Sequence, residues 1–133
     1  MRIDYDPRHI WGYKISSELA MNFLKNNKHD NYREDDNDND YYDEEKYLNY
    51  CSGAPYKDLN IIIINICPAY DTPYIEHDFY VVPMGKKGRE LRYDLYDKKS
   101  YNNYLKKVLS IEENVKKIDP YCKKVNESVV YVS

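Results

Sequence analysis

Residues Leu59–Cys67 read LNIIIINIC. Isoleucine stands at 61, 62, 63, 64 and 66, so no alternation with polar residues leaves one face for water. A short, β-branched, continuous apolar run predicts a central strand buried on both faces. If that strand is interior, the sheet around it needs a covering layer on each side.

The flanks set the limits of this strand. Pro68 and Pro73 cannot donate to a ladder, which predicts a loop over Pro68–Tyr74. Phe79–Val82 (FYVV) resumes as a second strand that Pro83 ends or places at an edge. Met84–Gly88 (MGKKG) has two glycines suited to a hairpin connection. Glu90–Tyr96 then alternates, with Leu91, Tyr93 and Leu95 on one face and Arg92 and Asp94 on the other, as in a half-exposed strand. Upstream, CSGAP breaks a helix expected over Tyr41–Cys51.

Nearer the N-terminus, His9–Lys14 (HIWGYK) reads as an extended segment, with Trp11 in the core or an edge strand. Ser16 or Ser17 then caps a helix running to about Asn27, with Ile15, Leu19, Phe23 and Leu24 at helical spacing. The tract NNKHDNYREDDNDND has almost nothing apolar to offset ordering, and predicts a flexible acidic loop at about 28–40. At the other end, Tyr101, Tyr104, Leu105, Val108, Ile111, Val115 and Ile118 form one stripe of a long helix capped by Asp97 or Ser100. Pro120 stops it, and SVVYV (Ser128–Val132) closes the chain as a strand. The expected architecture is therefore α+β. It is a single domain over 1–133 with a four- to five-stranded mixed sheet packed against two or three helices.

With 17 tyrosines among 133 residues, the core must combine few aliphatics with many amphipathic rings. The mean hydropathy is −0.90. No run has the apolarity of a leader or the length of a membrane span, and membrane partners are not expected. Cys51, Cys67 and Cys122 show no paired spacing, which fits free thiols in a reducing, cytoplasmic setting. The abundance of Tyr, Asn, Ile and Lys resembles that of proteins from AT-rich genomes or large DNA viruses. The net charge of −3 hides an asymmetry: 16 acidic and 8 basic side chains up to Pro83, then 7 and 12. Such a division can orient two copies or a charged partner.

Three groups of residues could carry function. Asp71–Asp78 (DTPYIEHD) concentrates Asp71, Glu76, His77 and Asp78 where a loop meets strand ends. These are oxygen and nitrogen donors suited to Mg or Mn, yet they match no ligand template, and a solvated connection is the leading expectation. DDNDND aligns with an EF-hand start at Asp36, but Tyr41 and Tyr47 occupy the glycine and glutamate positions. Lysine pairs along the last helix, represented by Lys99, Lys106 and Lys117, could track a nucleic-acid backbone or simply solvate its outer face. Cys67, before Pro68, reads as structural, with His77 the nearest base.

From Tyr41 onward the expected order α-β-β-β-α-β resembles the core of the restriction-endonuclease-like nucleases. That resemblance implies a metal-dependent site with Asp78 and Glu90 as carboxylates, Arg92 or His77 assisting, and Glu44 or Glu45 as a helical acid. Asp78 opens its strand where the family places the acid late, and Arg92 stands where the family has lysine. Arginine keeps its proton and can stabilise charge without acting as a base. The leading expectation is a non-catalytic protein-interaction module. Its surfaces would be the acidic loop, the basic helix face and exposed tyrosines, with self-association as a homodimer through an unpaired strand edge.

Overall fold

The computed structural model describes residues 5–27, 55–68, 72–85 and 97–132. They form five strands: β1 (Tyr5–Ile15), β2 (Pro55–Tyr56), β3 (Ile61–Ile66), β4 (Asp78–Pro83) and β5 (Lys123–Val132). Three helices join them: α1 (Ser17–Asn26), α2 (Lys98–Ser110) and α3 (Glu112–Ile118). One sheet runs β2-β3-β4-β1-β5, and the fold is α+β. Every ladder is antiparallel where a mixed sheet was expected. Antiparallel neighbours need only short returns, so no crossover helix separates β2, β3 and β4. The expected loop at 28–40, the helix over Tyr41–Cys51, most of the glycine hairpin and the strand Glu90–Tyr96 lie outside the described residues.

The isoleucine run is interior, as its composition requires. Ile61 and Ile63 pack under the helices with Trp11, Phe79, Val81, Tyr104 and Val108, while Ile62, Ile64 and Ile66 face a second cluster with Ile10, Tyr80 and Val82. Burying one such side chain stabilises by about 1.5–3 kcal/mol. Leu59 is not in the strand. It lies in the turn joining β2 to β3, where Asn60 takes a φ of 58°, a left-handed conformation that asparagine tolerates.

Curling of the sheet supplies part of the cover for that second face. β4 pairs with β1 only over Phe79–Val81, after which β1 continues alone with β5. At the departure point is Gly12, where an added Cβ would lie 2.2 Å from the Val81 carbonyl oxygen. Only a residue without a side chain lets the two backbones cross there. Beyond it, Val125 and Val129 of β5 pack in the cluster of Ile62, Ile64 and Ile66, so the β1–β5 ribbon folds over β3. Pro83 ends β4 in the sheet interior, beyond its pairing with β1.

The helices differ in detail from the pattern. α1 buries Ala20, Met21 and Leu24, whereas Leu19 is exposed and Ile15 belongs to β1. The expected long C-terminal helix is two helices that meet at Ile111. Asp97 caps the first, its carboxylate accepting from the Lys99 N–H and the Ser100 hydroxyl. The stripe survives the break, with Tyr104, Val108, Ile111, Val115 and Ile118 all buried. Tyr101 and Leu105 fall at its rim, and Leu109 faces solvent. No described helix is long and apolar enough to cross a membrane.

Candidate functional site

Of DTPYIEHD, residues 72–77 lie in the connection from β3 to β4, with a 3-10 turn at Tyr74–Glu76, and Asp78 opens β4. His77 is 8% exposed at its end. Its Nε2–H donates to the Thr72 carbonyl at 2.8 Å, and its Nδ1 accepts from the Asn65 amide at 3.0 Å. Nδ1 therefore ties the connection to β3 and Nε2 ties it to itself, so the one lone pair of the ring is already engaged. Glu76 is exposed. Asp78, the first residue of β4, lies 3.5 Å from the Lys14 ammonium across the sheet, and both side chains are more than two-fifths exposed. A pair so solvated contributes little.

Of the expected metal-dependent pair, Asp78 and Glu90, only Asp78 is among the described residues. Glu90 and Arg92 lie outside the described residues, as do Asp71, Glu44 and Glu45. Asp78 is partnered by a lysine and not by a second acid. Among the described residues, no three His, Cys, Asp or Glu side chains gather as a metal site. Cys67 and Cys122 are both half-buried. Burial pushes the Cys122 thiol up, with the Asp119 charge adding to the effect, which opposes thiolate chemistry.

Two polar arrangements were not visible in the sequence. Asp119 is 5% exposed, with one carboxylate oxygen accepting from the Ser16 N–H and the other from the Tyr121 N–H, each at 2.9 Å. It joins the start of α1 to the turn that launches β5, and lends negative charge to a helix N-terminus. His9, Asn126 and Ser128 meet across the β1–β5 ladder. His9 Nε2–H donates to the Asn126 amide oxygen, which turns Nδ1 toward the Ser128 hydroxyl at 3.5 Å. The order hydroxyl, imidazole, amide is that of an activated nucleophile. At 3.5 Å the base barely reaches the hydroxyl, and a neutral amide supplies no charge to an imidazolium. The group serves as a cross-strand clasp.

The aromatic centre lies under the helices. Trp11 packs at a tilt against Tyr101 at 4.7 Å and Tyr104 at 5.1 Å between ring centroids. Tyr104 donates to the Trp11 carbonyl and Tyr13 to the Val108 carbonyl, each at 2.9 Å, tying β1 to α2 from both sides. Burial, followed by Glu112 and Cys122, pushes Tyr13 up to about 12. Burial, with Asp78 and Glu127, does the same to Tyr80, and burial raises Tyr104 further.

Lys99, Lys106 and Lys117 are exposed on α2 and α3, together with Lys98, Lys107 and Lys116. Among the described strands β5 is the outer one beside β1, and Lys123, Lys124, Asn126, Glu127 and Ser128 are all exposed. Exposure at consecutive positions places both faces of 126–128 in solvent. No family model, curated protein or solved structure matches the chain. The class that the geometry itself defines is an antiparallel α+β fold whose buried polar groups serve its own connections.

Proposed function

We propose that this protein is a non-catalytic protein-interaction module that associates with itself through an edge of its sheet. The observation that carries this reading is β5, a ten-residue strand whose only ladder among the described strands is the one to β1. Such a strand presents a row of backbone donors and acceptors on its outer side, a template for another strand. Two further observations favour it. His77 and Asp119, which would be the natural reactive groups, are engaged in holding loops and corners. Tyr101 and Tyr121 remain exposed, the latter at 93%, as rigid rings suited to an interface.

Proline at adjacent β5 positions tests this, because neighbouring residues point their N–H groups to opposite sides of the strand. Of Glu127→Pro and Ser128→Pro, one removes a bond to β1 and lowers the melting temperature. The other removes an outward donor and one weak side-chain contact, to Tyr80 or His9, lowers the melting temperature less and abolishes association measured by light scattering. A wild-type chain at 16.0 kDa at every concentration would overturn the proposal.

A second reading is backbone-directed nucleic-acid binding, favoured by the exposed lysines of α2 and α3 beside Tyr101. It predicts affinity for single-stranded DNA that falls steeply with salt and weakens when Lys99, Lys106 and Lys117 are replaced by glutamine together. Retained binding in that variant would contradict it.

A further inference from the structure

The charges along β5 and the rules of antiparallel pairing fix how two copies would join. This inference rests on the self-association reading and specifies its register. Side chains directly opposite one another in an antiparallel pair lie on the same face of the sheet. Two copies of one strand related by a two-fold axis must therefore place that axis through a residue, which then faces its own copy. For a strand spanning Lys123–Val132, the two longest overlaps centre the axis on Glu127 or on Ser128. An axis at Glu127 pairs residues 123–131 and opposes Glu127 to Glu127, a like-charge contact. An axis at Ser128 pairs residues 124–132 and opposes two hydroxyl side chains.

The charged residues of the strand are Lys123, Lys124 and Glu127. With the axis at Ser128, Lys124 meets position 132 and Glu127 meets position 129, so no like charges face each other. Ser128 is also exposed, as are its neighbours Asn126 and Glu127, leaving that centre accessible to a second sheet. Lys124 falls at the end of the overlap and Lys123 just beyond it, where water still reaches them. We infer that β5 pairs antiparallel with β5 of a second copy about a two-fold axis at Ser128, giving one continuous sheet across the dimer.

Cysteine placement tests the register. Opposed residues in antiparallel strands have Cα atoms about 4.5–5.5 Å apart, within disulfide reach. Under this register a cysteine at 127 lies two positions from its own copy, about 8 Å or more away and beyond that reach. Mild oxidation of the Ser128→Cys variant is expected to give a dimer whose peptide map contains a 128–128 link. The Glu127→Cys variant should give no 127–127 link under the same conditions. If light scattering shows the wild type to be monomeric throughout, the self-association reading falls and this inference with it. If the wild type associates but Glu127→Cys links and Ser128→Cys does not, the register is overturned while self-association stands. If it associates and neither variant links, β5 is not the interface.

Discussion

His77 donates through one ring nitrogen and accepts through the other, so alanine there removes an acceptor from Asn65 and a donor from Thr72. Losing these partly buried bonds should cost about 1–3 kcal/mol, read as a lower midpoint in urea. His77→Ala should leave self-association unchanged, since its bonds are to Asn65 and Thr72 and β1 stands between β4 and β5. The buried phenols of Tyr13, Tyr80 and Tyr104 make a second prediction. Their acidities are weakened in the fold relative to about 10 in the unfolded chain. The folded state therefore holds these protons more tightly than the unfolded state. Their contribution is fully present below pH 10 and is lost as pH rises toward and past 12. Tyrosinate absorbance across the 17 tyrosines should include a late group that ionises only with unfolding. A single transition for all of them, with the fold intact, would contradict the burial. The sequence announced His77 as a polar residue in a suggestive loop. It could not show that Asn65 and Thr72 occupy both nitrogens, because that depends on how the loop folds back on β3.

Element by element, the most legible part of the chain was the run of isoleucines, since burial on both faces leaves Asn65 as the one polar residue of the strand. That makes a sharp prediction. Ile63→Ala and Ile64→Ala point to opposite faces, yet each should cost about 2–5 kcal/mol by chemical denaturation. A negligible cost at either one would mean that face is not packed. The C-terminal stripe was equally legible, but the break at Ile111 was not. Tyr104, Val108, Ile111, Val115 and Ile118 keep the spacing of one helix whether or not the backbone pauses. Leu19 misled for the opposite reason: it fits the helical period of α1, while Ala20 and Met21 are the side chains that meet the sheet. The clasp of His9 with Asn126 and Ser128, and the link from Asp119 to Ser16, each join residues more than a hundred positions apart. No local pattern encodes such pairs.

At the level of the whole molecule, two features decide the outcome. Gly12 lets β1 cross β4 so that the β1–β5 ribbon closes over the isoleucine face. The same curl leaves β5 as the outer strand, paired along one side by β1. Among the described strands β5 pairs with β1 alone, and association through the outer side of β5 is the functional claim. Amide hydrogen exchange followed by mass spectrometry at low and high protein concentration tests it most directly. Peptides covering 123–132 should gain protection as concentration rises through the association range, with no comparable gain in the Ile61–Ile66 strand. Exchange in 123–132 that does not change with concentration, while the molecular mass doubles, would place the interface elsewhere and contradict the account.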